Sequence, residues 1–182
     1  MQKYLPLFTI LCLLLSCNSD DTQKDPDNEF FSNLKGHYSL KEIYSEIPLD
    51  LNFDNITNTD LLSEIDCVIA FPPELYKASV EYYAISGKKV FTFETANQDI
   101  QSENNIQSKC FYPASLSYSF DRSGPDNQII ITNRNTEREA DYGILTNVTL
   151  QDNTFDFIIK KEYYTPQGWQ EVNTHLLYEK DN

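Results

Sequence analysis

Asp50-Leu51-Asn52-Phe53-Asp54 puts oxygen-bearing side chains at alternate positions of one short segment. Oxygens at the first, third and fifth places of a loop wrap a calcium ion when the chain turns sharply after the fifth. Asn55 occupies the turning place, and asparagine tolerates a left-handed backbone better than most side chains. Ile56 would add its carbonyl from the seventh place. Leu61 stands where an EF-hand has its bidentate acid, so Asp60 or Glu64 would have to reach back. The competing reading is an acidic turn whose side chains cap nearby backbone amides. Calcium at Asp50, Asn52 and Asp54 is thus an expectation set against a self-contained turn.

Other chemistry is thinly represented. The only two histidines, His37 and His175, fall on the polar sides of their segments, and no C-x-x-C spacing occurs, so zinc is not expected. G-x-S-x-G, H-E-x-x-H and glycine-rich phosphate loops are all missing from the sequence. With 28 acidic residues some carboxylate pairs are inevitable, and abundance names no glycosidase pair. The expectation is a protein that is not an enzyme and has no resident cofactor beyond that calcium.

The cysteines carry the location. Lys3 precedes an apolar run, Leu5 to Leu15, which is too short for a membrane-spanning helix of about 20 residues. The run ends in Leu13-Leu14-Leu15-Ser16-Cys17, which resembles a bacterial lipoprotein signal. The resemblance implies cleavage after residue 16 and acylation of Cys17, with the chain held to a membrane by its acyl chains. A secretory signal with a coincidental cysteine, or a degenerate membrane anchor, is the alternative. Residues 17–29 are polar, acidic and without large apolar side chains before residue 30, as in a flexible tether. Within them Ser19-Asp20-Asp21 resembles the signal that sends lipoproteins of the Bacteroidota to the outer face of the outer membrane; the alternative is a periplasm-facing anchor. Cys12 would be lost with the signal, leaving Cys67 and Cys110. In an exported domain that pair is expected as a disulfide, adding about 4 kcal/mol in the chain-entropy model. Two buried free thiols are the alternative.

Residues 30–182 suit one domain. The net charge of −14 opposes nucleic acid and opposes docking on anionic lipid through basic residues. Most of the domain reads as strand. Phe155, Phe157, Ile159 and Tyr163 alternate with Asp156, Lys160 and Glu162; Tyr142, Ile144, Val148 and Leu150 share one side of a preceding segment, and Val172, Leu176 and Tyr178 one side of a following one. The turns Gln151–Thr154 and Thr165–Gly168 make these a C-terminal meander. Earlier strands are expected at His37–Tyr44, Cys67–Phe71, Ser79–Ile85, Lys88–Glu94, Leu116–Phe120 and Gln128–Thr132. One short helix, Thr59–Ile65, follows the first strand. The fold class is all-β, an antiparallel up-and-down meander barrel of about eight strands.

Leu34-Lys35-Gly36-His37-Tyr38-Ser39-Leu40 resembles the L-x-G-x-W-x-L opening of lipocalin-like lipoproteins of the Bacteroidota, with Tyr38 in place of tryptophan. Pro48–Asp54, followed by Thr59–Ile65 and Cys67, is similar to a second segment of that group, with Asn55 where the acidic loop has glycine. The resemblance implies a small barrel with a ligand-sized interior. Phe155, Phe157, Ile159, Tyr142 and Tyr178 would then line a site for a small apolar or amphipathic ligand. Trp169 and Tyr164, left outside, suit a sugar-stacking platform instead, which would make the domain a glycan- or protein-recognition module. A structural lipoprotein with a filled core is the third reading.

Overall fold

The computed structural model describes residues 26–99, 110–123, 128–151 and 153–181. Cys17, the expected leader and most of the expected tether lie outside them. The strands are β1 (Gly36–Leu49), β2 (Asn58–Asp60), β3 (Cys67–Val68), β4 (Lys77–Tyr83), β5 (Lys88–Gln98), β6 (Cys110–Ser123), β7 (Gln128–Asn133), β8 (Ile144–Gln151), β9 (Thr154–Thr165) and β10 (Gly168–Lys180), with apolar–polar alternation clearest in β9 and β10. They form one sheet of ten strands in the order β3-β6-β5-β4-β1-β10-β9-β8, with β2 beside β1 and β7 beside β6. The fold is all-β, and the C-terminal meander β8-β9-β10 is present.

The closed eight-stranded antiparallel barrel is corrected. The sheet is mixed, because β3 runs parallel to β6 with Cys67 opposite Cys110, and the two cysteines are joined as a disulfide. It is also open: among the described residues β8 pairs with β9 alone, and no ladder connects it to β6 or β7. The chain between β7 and β8 forms helix α2 (Thr136–Tyr142), which packs against β6 and β8 where a closing ladder would have to run. Asn135 caps α2 by accepting the Arg138 amide at 3.1 Å.

The sheet nevertheless curls over on itself. β4, β1 and β10 separate β5 from β9 along the sheet, yet Phe93 of β5 stacks on Phe157 of β9 with ring centroids 4.2 Å apart. Helix α1 (Pro26–Leu34) covers part of the core with Phe30, Phe31 and Leu34, Phe31 lying 6.5 Å from the Phe120 ring. Its first residues fall in the stretch whose polarity predicts a tether, but the apolar face that follows draws the helix onto the sheet.

The helix expected at Thr59–Ile65 is replaced by β2 and a turn. Asp60 pairs with Tyr44 of β1, and its carboxylate takes the Leu62 amide at 3.0 Å, while Ser63 donates to the Asp60 carbonyl at 2.7 Å. These local bonds compete successfully with helix in so short a segment.

Candidate functional site

Four of the five residues expected to line a ligand cavity do come together. Phe155, Phe157 and Ile159 project from β9 and Tyr178 from β10, all without solvent exposure. What they meet is the protein itself. Phe157 packs 5.3 Å from Phe91, Phe155 lies 5.0 Å from Tyr38, and the Tyr178 hydroxyl donates to the Glu94 carbonyl at 2.5 Å. Burial raises the Tyr178 phenol well above its ordinary value and lifts Tyr163 to about 12, so both hydroxyls stay protonated. Tyr142 is the correction: it ends α2, with the Arg138 guanidinium 4.8 Å over its ring, and so cannot extend the β8 face.

The more open space lies at the edge of the sheet. A cleft of about 380 Å³ runs between α2, the start of β8, the end of β5 and β9, with Lys161 and Trp169 in its walls. Its position follows from register. Ile144 pairs with Lys160, and beyond that point β8 has no residues to pair with β9. Side chains take over. The Gln98 amide donates to the Tyr164 carbonyl at 3.1 Å and accepts the Tyr164 amide at 2.8 Å, as a strand's own peptide group would.

Lys161 works beside it. It holds an inward position of β9 between Ile159 and Tyr163 and is 6% exposed. Its ammonium donates to the Ala96 carbonyl at 2.7 Å and to Asn97 Oδ1 at 2.8 Å, and lies 5.4 Å from the centre of the Tyr163 ring. Burial lowers its pKa from the usual lysine range to about 7. Gly143 closes the turn from α2 with φ +117°; a Cβ there would sit 3.3 Å from the Lys161 and Ile159 side chains. Only glycine lets the chain pass so close to β9 with that backbone.

The far wall of the cleft is anchored by Glu139, 5% exposed. It pairs with Arg134 at 2.6 Å and also accepts the Tyr118 hydroxyl at 3.0 Å and the Leu145 amide at 3.3 Å. At the mouth, Trp169 is 52% exposed and set edge-on to Tyr164 at 5.5 Å, with the Lys160–Glu171 ion pair nearby at 2.6 Å. Aromatic face, carboxylates, amides and an ammonium are thus gathered in one half-open space.

The acidic segment is a tight turn. Asn55 has φ +70°, the left-handed conformation expected of the turning place, and Phe53 has φ +64°. Asp50 Oδ2 accepts the Asn55 amide at 3.0 Å, Asn52 Oδ1 the Asp54 amide at 3.0 Å, and Asp54 Oδ1 the Ile56 amide at 2.7 Å. Glu64, 4% exposed, reaches back to accept the Leu51 amide at 3.1 Å. Burial raises its carboxyl above the ordinary range, opposed by that amide and reinforced by the charges of Asp54 and Asp50. Asp60 turns elsewhere, to Leu62. Among the described residues no three Asp, Glu, His or Cys side chains by themselves gather around one metal position.

His175, read from sequence as solvated, is instead held. Its ring stacks on Tyr44 at 4.4 Å, and Nδ1 lies 3.1 Å from both Asp156 oxygens. Sequence reasoning missed Lys161, Gln98, Glu139 and α2. The Lys161 signal was present as a lysine in phase with Phe155, Phe157, Ile159 and Tyr163. The α2 signal was present as Asn135 and Gly143 bracketing a helix-compatible segment. Comparison with protein-family models, with curated proteins and with solved structures finds no match.

Proposed function

We propose that this chain is a lipid-anchored lipoprotein of the cell envelope, acylated on Cys17, whose lipocalin-like domain is a non-catalytic binding module. Its ligand is taken in the cleft at the sheet's edge and is a saccharide of the cell surface or its surroundings. The observation that carries this reading is the contrast between the two candidate spaces. The interior is occupied by the domain's own rings, with Phe93 and Phe157 in direct stacking. The edge cleft sets the half-exposed Trp169 beside polar side chains such as Asn97, Asp141 and Glu162. A sugar ring presents an apolar face to stack and hydroxyls to bond, and that combination matches these walls. An apolar ligand in the barrel interior, the expectation from family resemblance, would have to displace packed aromatic side chains. The membrane is the partner through the acyl chains, and the serine-acid tether favours the outer face of the outer membrane over the periplasmic one.

Trp169 is the chain's sole tryptophan, so its fluorescence reports on the cleft alone. Titration of envelope and extracellular oligosaccharides into the detergent-solubilised protein is expected to quench or shift that emission. Silence towards every saccharide at millimolar concentration would remove the cleft reading and leave a structural lipoprotein with a filled core. The anchor is checked separately: incorporation of a fatty-acid label into the wild-type chain is expected to vanish in Cys17→Ala.

A further inference from the structure

We infer that the tip of the β4–β5 hairpin, Tyr82, Tyr83 and Ile85, rests on the lipid bilayer and turns the saccharide cleft away from it; the inference rests on the Cys17 anchor proposed above. Ser86 and Gly87 both donate their amides to the Tyr83 carbonyl, at 3.1 and 2.9 Å, and Gly87 has φ +66°. Turns are ordinarily polar, yet the residues that enter and crown this one are Tyr83, Ala84 and Ile85. Tyr82 and Tyr83 are each 50% exposed, and Ile85 is completely exposed. One exposed apolar side chain is ordinary; several on one tip mark a surface that meets something.

What it meets follows from where the tip lies. Gly36 of β1 pairs with Val80, so Glu81–Tyr83 run on past the start of β1 to the end of the sheet that carries α1. Phe31 of α1 meets the Tyr82 ring in a T-shaped contact at 6.0 Å. Pro26 opens that helix, and residues 18–25 alone separate it from Cys17 in the sequence. A stretch of that length spans at most about 30 Å when fully extended. Acyl chains on Cys17 therefore keep this end of the domain close to the bilayer. The cleft belongs to the other end. Thr154 pairs with Glu179, and Glu179 with Ser39 of β1, which sets the start of β9 at the α1 end. Trp169 pairs with Tyr164, about ten residues or roughly 33 Å further along β9.

The side chains suit a bilayer surface. A phenol ring sits between headgroup and hydrocarbon, and an aliphatic side chain enters below it. The contact is apolar rather than electrostatic, because Glu81 and the net charge of −14 oppose any pull of Lys88 and Lys89 on anionic lipid. A few side chains hold a bilayer weakly by themselves. A short tether keeps them at an effective concentration of about millimolar, where a weak contact suffices.

The test uses the acylated chain in phosphatidylcholine vesicles that contain a doxyl-labelled phosphatidylcholine as quencher. With Cys17 acylated and Cys67 joined to Cys110, an introduced cysteine is the thiol left to label. A fluorophore on Ser86→Cys reports the tip, and one on Gln167→Cys, in the turn before Trp169, reports the cleft end. Both proteins are expected to float with the vesicles, and lipid quenching at residue 86 should exceed that at residue 167 by at least about threefold. Tyr83→Asp combined with Ile85→Asp, both at exposed positions, should bring quenching at residue 86 down to the residue 167 value while flotation persists. Flotation with equal quenching at the two positions overturns the contact and leaves the anchor standing, as does quenching that the two aspartates do not diminish. Shielding of residue 86 from aqueous iodide without lipid quenching would give the tip to another protein, and equally overturns the contact. A chain that does not float removes the anchor and the contact with it.

Discussion

The aromatic interior and the polar edge of the same strand, β9, solve opposite problems. From Thr154 to Lys160 the strand is flanked by β8 and β10, and its inward residues are phenylalanine and isoleucine packed on rings from β5. From Lys161 onward it has lost β8, and its inward lysine and unpaired backbone are satisfied by Ala96, Asn97 and Gln98. Where ladders are complete, side chains are free to be purely apolar. Where the ladder stops, side chains must do the hydrogen bonding, and a cleft forms around them. The strand's edge is thereby covered without a further strand.

Removing a ring from the complete half should have the largest effect. Phe157→Ala deletes a fully buried side chain that stacks on Phe93, Phe91 and Phe155, and a cost of about 3–5 kcal/mol is expected in urea unfolding. A cost below about 1 kcal/mol would mean the interior is loosely packed, and would revive an apolar ligand there.

Lys161 tests the other half through pH. Its folded pKa, about 7, lies below the usual lysine value of 10.5, so between these values the unfolded chain binds the extra proton. Stability from this group therefore rises as pH increases from about 7 to about 10.5, and the full penalty applies below 7. Relative to Lys161→Met, which has no proton to lose, the wild type should gain on the order of 3 kcal/mol across that window. A constant difference between the two proteins across the window would show that the amine is charged throughout, compensated by the Ala96 and Asn97 oxygens.

The complete half was legible in the sequence because a period of two needs only local information. The alternation of Phe155, Phe157, Ile159 and Tyr163 with Asp156, Lys160 and Glu162 falls wholly within β9, and the meander follows from its turns. The Cys67–Cys110 disulfide followed from counting cysteines in a domain whose leader predicts export. The edge was not legible, because its determinants are long-range substitutions: opposite Tyr164, 66 residues away, Gln98 stands in for the peptide group that a strand would supply. Nothing local marks a glutamine for that task. Tyr142 misled for a related reason, since one aromatic in phase with Ile144, Val148 and Leu150 outweighed the Asn135 cap and Gly143. The acidic turn is legible in shape, down to the left-handed Asn55, while the reach of Glu64 rather than Asp60 back to the Leu51 amide depends on the three-dimensional path of β2.

Trp169 gives the smallest effect on folding and the sharpest test of what the edge is for. It is half exposed at the mouth of the cleft, and its ring meets that of Tyr164, itself only partly buried, in a T-shaped contact. Trp169→Ala should change stability by less than about 0.5 kcal/mol, the ordinary range for a surface substitution. Its effect on saccharide binding, read by calorimetry because the variant has no tryptophan fluorescence, should be a loss of at least about tenfold. Trp169→Phe, which keeps a ring to stack, should recover part of it. The pairing of outcomes matters more than either alone. A stable variant that no longer binds assigns the exposed indole to recognition and the buried Lys161 clasp to architecture. A variant that unfolds instead would make Trp169 a further patch on the unfinished ladder, and the cleft would be nothing more than the gap that α2 leaves.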